Sequence, residues 1–244
     1  VTYTLDALTY LTLGAGHDLR VWDDEDYGKG LLNNNFNRYS VNGTLSRELR
    51  PYTTEASIVL DYTEHEYEGD RGGYETITAR GTVDHNFNPD LSGSVSLGYS
   101  FSEYDSASNE DAVTPYAQCG LIFSPGARTT LTADALYSLR HSDNSVYNAQ
   151  NTLALSFGAK RELTAKISLS SSLSYELSDL DADSAVSAVV PDDQLDVIRA
   201  SARCSYQINR NNFVDLNYSI ENRSADTLED MTRNRVDFGW RLRL

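Results

Sequence analysis

The chain has 244 residues, a formal net charge of -16 and a mean hydropathy of -0.46. So acidic a balance offers no basic stripe to meet phosphate, which excludes nucleic acid as a partner. No run of about 18 apolar residues occurs, which excludes transmembrane helices. What remains is a polar chain with 16 Tyr against 7 Phe, of a length that suits one all-β domain over residues 1–244.

Taken in order, the segment Tyr3-Thr4-Leu5-Asp6 reads as the tail of an earlier strand and its turn. Period-two alternation then predicts about twelve strands, over roughly 9–22, 36–48, 53–66, 74–87, 91–104, 113–123, 128–141, 149–161, 164–177, 195–208, 212–224 and 233–244. In the fourth, Ile77, Ala79, Val83 and Phe87 face away from Thr78, Arg80, Thr82, Asp84 and Asn86. In the fifth, Leu91, Val95, Leu97, Tyr99 and Phe101 oppose a row of serines. In the ninth, Ile167, Leu169, Leu173, Tyr175 and Leu177 oppose Lys166, Ser168, Ser170, Ser172, Ser174 and Glu176. The last strand is the clearest: Val236, Phe238, Trp240, Leu242 and Leu244 alternate with Asp237, Gly239, Arg241 and Arg243. Successive side chains of a strand point to opposite faces, so each segment has one greasy and one wet side.

The connections alternate in kind. Tight turns are expected at Arg50-Pro51-Tyr52, Asn88-Pro89-Asp90, Ser124-Pro125-Gly126-Ala127, Glu162-Leu163 and Asn209-Arg210-Asn211. Between them lie longer acidic loops, about 23–35, 67–73, 105–112, 142–148, 178–194 and 225–232, which carry Asp23, Asp24, Asp179, Asp181, Asp226 and Glu229 among others. Short turns at one end and long loops at the other are the mark of bacterial outer-membrane barrels, as is an even strand count with both termini periplasmic. A soluble sheet of this size needs helices or a second layer over its apolar face, and no amphipathic helix is legible. In lipid the apolar face needs no cover, and closing the sheet removes its edges. The fold expected is a closed antiparallel up-and-down transmembrane β-barrel in the bacterial outer membrane. Tyr62, Tyr99, Tyr137, Tyr175, Tyr206 and Tyr218 would form an interfacial girdle on its outer side.

The segments Asn37–Leu45 and Thr232–Leu242 resemble the hairpin repeats of the putative beta-barrel porin 2 family. The resemblance covers nearly the whole chain and rests on pattern, not on a specific motif. It implies a porin-like barrel, and because members of that family are often longer, it also implies that this chain is the C-terminal part of a larger barrel. One departure is that the terminal strand ends in Leu244 rather than an aromatic residue.

No enzyme chemistry stands out. Of the four histidines, His17, His85 and His141 fall on apolar rows and His65 on a polar one. A lipid-side His with a neighbouring Ser would make a lipid hydrolase, but no nucleophile elbow is present. The acidic runs Asp24–Gly28 and Asp179–Asp183 lack the spacing of a calcium loop, and neither a metal nor a cofactor is expected. Cys119 and Cys204 lie far from any CxxC spacing and read as wall residues, with a bridge between them left open.

The expected function is therefore a channel for small solutes or ions. Arg199, Arg203, Arg241, Arg243, Asp237, Glu176 and Asp215 are the candidate lumen or constriction residues, and Val236, Phe238, Trp240 and Leu242 the lipid-facing ones. Outer-membrane lipids, lipopolysaccharide and other outer-membrane proteins are the expected partners. The alternative is a plugged structural, adhesive or complex-anchoring barrel that conducts nothing.

Overall fold

The computed structural model describes residues 1–20, 35–67, 73–105, 111–141, 147–182, 193–225 and 230–242. They form one sheet of thirteen strands whose spatial order is the sequence order. The strands are β1 (Thr2–Thr4), β2 (Thr9–Arg20), β3 (Phe36–Arg50), β4 (Thr54–Tyr67), β5 (Tyr74–Asn88), β6 (Leu91–Tyr104), β7 (Ala112–Phe123), β8 (Thr129–His141), β9 (Tyr147–Glu162), β10 (Ile167–Ala182), β11 (Asp193–Gln207), β12 (Asn212–Ala225) and β13 (Met231–Leu242). Each pairs antiparallel with the next, an up-and-down meander throughout.

The expected count of twelve is corrected by β1. Thr2, Tyr3 and Thr4 pair with Thr12, Leu11 and Tyr10, and the Val1 amino group donates to the Leu13 carbonyl at 2.6 Å. This strand is the tail of an earlier one expected at Tyr3–Asp6, with Asp6 in the turn that follows. It also changes the parity: with thirteen strands, β1 and β13 run in the same direction. Among the described residues these two strands pair with one neighbour each and not with one another, so the sheet is open.

Side chains of the turns close most of the short connections. Asp6 Oδ1 accepts from the Leu8 amide at 2.8 Å, a bond to the ionised form that holds the Asp6 carboxyl below its ordinary range. Asn88 Oδ1 accepts from Asp90, Thr164 Oγ1 from Lys166 and Ile167, and Asn209 Oδ1 from Asn211 and Asn212. These are the Asx and Ser/Thr turns such residues favour. The Thr164 turn delays the start of β10 to Ile167, three residues later than the alternation suggests. At the opposite end the pairing runs further than expected. Leu180 still pairs with Asp193 and Asp179 with Gln194, inside a stretch expected to be loop. A backbone ladder satisfies amides in water as well as in oil, so it need not stop where the apolar row stops.

One face can be followed across the sheet by register. Tyr10 lies beside Ser46, then Ser57, Thr82, Ser96 and Gln118. The row continues through Leu136, Ala154, Glu176, Val197, Arg223 and Met231. On this face the small polar side chains are the buried ones: Ser46, Ser96, Ser100, Ser102, Thr114, Thr152 and Ser178. Val59 and Val197 are the only buried hydrophobic residues among those described, and they share that face. The opposite face carries the large apolar side chains in the open, with Val236 68%, Phe238 74% and Trp240 69% exposed. This is the inverse of a water-soluble domain, where apolar side chains are the ones most often buried.

Cross-strand hydroxyl pairs hold the crowded polar face together. Thr76–Ser102, Thr78–Ser100 and Thr82–Ser96 are each 2.8 Å apart, and Thr152–Ser178 is 3.1 Å. Within the same row Arg80 reaches across Gly98 to lie 5.2 Å from the Tyr116 ring. A Cβ on Gly98 would stand 2.7 Å from Arg80 Cα, so only glycine lets the strands approach there.

Two turn positions have left-handed backbone: Tyr52 (φ 64°) and Gly126 (φ 79°). Gly126→Ala is expected to cost about 1–2 kcal/mol. Tyr52→Asn, at a side chain 92% exposed, is expected to gain up to about 1 kcal/mol. Urea midpoints of the protein refolded into lipid vesicles check both, and a gain from the alanine would contradict the turn geometry.

Candidate functional site on the polar face

The charges of β10 to β13 are built by alternation and then brought together by register. Strand parity puts Arg199, Ser201, Arg203 and Ser205 of β11 on the polar face. The tight turn at 208–211 sets them opposite Glu221, Ser219, Asn217 and Asp215 of β12. The next pairing places Arg233, Arg235, Asp237 and Gly239 of β13 beside those same four residues. On the other side Ser174 flanks Arg199, and Glu176 stands one pair further along β10.

The resulting contacts are ionic and branched. Arg199 donates through Nη1 to Glu176 at 3.0 Å and through Nε to Glu221 at 2.8 Å. Glu221 also receives Arg223 Nε at 2.7 Å. Arg235 Nε donates to Asp237 at 2.6 Å, and Asn217 Nδ2 donates to the other oxygen of Asp237 at 3.3 Å. Arg241 stands 3.7 Å from Asp215 and 5.0 Å from the Phe213 ring centre, while Ser205 donates to Asp215. Arg203 and Arg233 have no ion pair or hydrogen bond among the described residues.

Of the expected lumen residues, Glu176, Arg199, Arg203, Asp215, Asp237 and Arg241 thus share one face, with Arg199 joined to Glu176 and Arg241 near Asp215. Arg243 lies outside the described residues. The expected apolar set Val236, Phe238, Trp240 and Leu242 stands on the opposite face of β13, and Trp240 Nε1 donates to Asn212 at 3.1 Å. Glu221, Arg223, Arg233 and Arg235 were missed. Parity counted from Asp215 and Asp237 would have placed them on the wet row, but their partners depend on a register that alternation does not supply.

A second polar-face cluster sits on β2 to β6, at the end opposite the short turns. Phe36, His65, Tyr67, Tyr74 and Tyr104 form a run of ring contacts, with His65 stacked on Tyr74 at 4.7 Å. Arg38 is bonded to Asp18 at 2.6 Å nearby, and further down the wall Arg80 is bonded to Asp61 at 2.7 Å. Aromatic residues on a wet row do not stand out in a sequence already rich in tyrosine.

Among the described residues neither His17 nor His85 belongs to a nucleophile–base–acid array. His17 stacks on Tyr39 at 4.7 Å, and His85 shares a 2.8 Å hydrogen bond with Thr54. Among the described residues no three His, Cys, Asp or Glu converge to hold a metal. Of the two runs compared with calcium loops, 24–28 lies outside the described residues and Asp179 belongs to β10. Cys119 and Cys204 are free thiols on β7 and β11, both on the apolar face. The girdle tyrosines lie on that face too, and three of them find polar partners: Tyr62 with Glu64, Tyr175 with Asp196 and Tyr218 with Asn234.

Residues 13–244 match the family described as putative beta-barrel porin 2. No protein of curated function matches the chain in sequence. Among solved structures, the copper transporter OprC is similar at 12% identity and a TM-score of 0.61, over 98% of this chain and 50% of the transporter. The outer membrane channel DcaP of Acinetobacter baumannii is similar at 16% identity and a TM-score of 0.59, over 96% of this chain and 71% of the channel. The FrpB iron transporter from Neisseria meningitidis is similar at 9% identity and a TM-score of 0.58, over 89% of this chain and 41% of that one. At these identities the likeness is one of fold, and this chain spans about half the length of the two transporters.

The two best-defined ion pairs should differ in weight. Arg199→Gln takes one cation from both Glu176 and Glu221, whose side chains are 17% and 22% exposed, and is expected to cost about 1–2 kcal/mol after allowing for partial solvation. Arg241→Gln removes a looser pair from a side chain that is 64% exposed, and is expected to change stability by less than about 0.5 kcal/mol. Urea unfolding in vesicles separates the two; equal losses would mean that the branched cluster adds nothing.

Proposed function

The chain belongs to the putative beta-barrel porin 2 family, whose members are outer-membrane β-barrels, and we propose that it forms most of the wall of a closed barrel that conducts small solutes or ions. The observation that carries this reading is the inverted burial. Serine, threonine and ion pairs crowd one face, while exposed Val, Leu, Phe and Trp cover the other. Lipid is the solvent that suits the second face, and a hydrated channel is the setting that suits the first.

Closure follows from the open edges. Unpaired amides cannot be left in hydrocarbon, so β1 and β13 each require a partner. Because β1 and β13 run in the same direction, antiparallel closure takes an odd number of further strands between them. On this reading Glu176, Arg199, Arg203, Asp215, Asp237, Arg241 and Arg243 line the lumen. Val236, Phe238, Trp240 and Leu242 face lipid, lipopolysaccharide lies against the outer rim, and acidic loops surround the mouth. The role is passive and not catalytic: transit would be governed by lumen width and by the alternation of charge along β10 to β13.

Planar-bilayer recording tests the proposal. Discrete ohmic openings are expected, and the reversal potential in a salt gradient should move toward anion preference in Glu221→Gln/Asp237→Asn, because two wall anions are removed while the arginines stay. A correctly inserted protein that never opens would overturn conduction in favour of a plugged structural barrel.

A further inference from the structure

We infer that the polar face of β10 to β13 holds a binding site for small oxyanions, a cup with a serine floor and arginine walls. The inference rests on that face being the channel wall and names the class of solute it would hold.

The floor is built by register. Ser172 pairs with Ser201, Ser201 with Ser219, and Ser219 with Arg235; one pair along, Ser174 adjoins Arg199, Arg199 adjoins Glu221, and Glu221 adjoins Arg233. Adjacent positions across three strands therefore carry nothing longer than a hydroxymethyl group. The space this leaves is a cavity of about 330 Å3, bounded by the longer side chains of Arg199, Glu221, Arg233 and Arg235. That volume is at the lower end of the range for small-molecule sites.

The chemistry of the lining selects the ligand. Three guanidinium groups meet one carboxylate there. That carboxylate, Glu221, is already engaged by Arg199 and Arg223. Arg235 is held by Asp237 through Nε alone, which leaves its terminal nitrogens available. Arg233 has no ion pair or hydrogen bond among the described residues, and Arg203, two positions beyond Ser201 on the same face, makes neither although the Asp237 charge lies near it. In a chain with 36 acidic and 20 basic residues, a shortage of carboxylates does not explain this. A guanidinium presents its donors as a planar fork that matches the paired oxygens of a carboxylate or phosphate. The floor adds hydroxyl donors: Ser172 and Ser201 lie 2.7 Å apart, so one hydroxyl donates to the other and the second keeps its hydrogen for a guest. A cationic solute would meet three like charges, and an apolar one would strand every donor.

The test is calorimetric titration of the full chain, refolded in detergent micelles at fixed sodium chloride, with sodium succinate in one series and inorganic phosphate in another. Saturable binding of either is expected, and the series that binds identifies the headgroup. Arg233→Gln should weaken it about tenfold or more, the loss expected for one charge-assisted contact. Arg233→Lys should fall between, keeping charge without the fork. Arg38→Gln, on β3, should leave the affinity unchanged. Ser219→Leu, which fills the cup from a different strand, should abolish binding while the protein still refolds, so the result does not depend on one arginine variant. Absence of both binding curves in a protein that still conducts would overturn the cup and spare the channel. Unchanged affinity in Arg233→Gln and Ser219→Leu would overturn it as well. Binding without conductance would support the cup and remove the channel.

Discussion

A backbone amide in hydrocarbon has no water to turn to, and every feature of this protein is arranged around that constraint. Each unsatisfied group would cost several kcal/mol. Only an unbroken ladder avoids this, and the thirteen strands supply one with no crossover. Once the ladder is in place, the two faces of each strand are free to differ in solvent. The large apolar side chains stand exposed on one row, as lipid allows, and the small polar ones are crowded on the other.

The same constraint explains why the wall is stitched with hydroxyls and not with longer amides or acids. Where side chains of neighbouring strands crowd one another, small ones pack best, and Ser and Thr are most of the buried ones here. The Thr–Ser pairs at 2.8 Å satisfy one another across neighbouring strands. Larger groups are admitted only where a neighbour makes room. Arg80 crosses Gly98 to reach Tyr116, and Arg199 extends between Glu176 and Glu221 over flanking serines. The charged residues of the polar face are therefore placed by the gaps that small residues leave, as much as by attraction between charges.

Most of this architecture was legible in alternation, because a period of two separates faces without any knowledge of tertiary structure. It located every strand from β2 to β13 to within a few residues, and it put Glu176, Arg199, Asp215 and Asp237 on one row. It failed where the signal is not periodic. The ends of β10 and β11 pair, Asp179 with Gln194 and Leu180 with Asp193, beyond the apolar stretch. Register was the larger loss. Parity says that Glu221 and Arg199 are on the same side, but only the geometry of the 208–211 turn makes them neighbours. The aromatic run from Phe36 to Tyr104 was hidden for a related reason, since its members belong to four strands and meet only when the rows are aligned.

The net charge of -16 does not describe the wall. Much of the acid lies in the long connections, whereas the polar rows of β11 and β13 carry Arg199, Arg203, Arg233, Arg235 and Arg241 with Asp237 among them. Screening at physiological ionic strength limits the reach of the loop charges to about 8 Å in open solvent. On the proposed channel reading, a solute beside Ser201 and Ser219 would respond first to the guanidiniums around it. On that same reading entry and residence would be governed by opposite signs, with an acidic rim setting which ions gather at the mouth and the arginines deciding which of those that enter are retained. Two such filters in series need not agree, and a channel whose rim repels the ligand that its wall retains would pass that ligand slowly while letting uncharged solutes through.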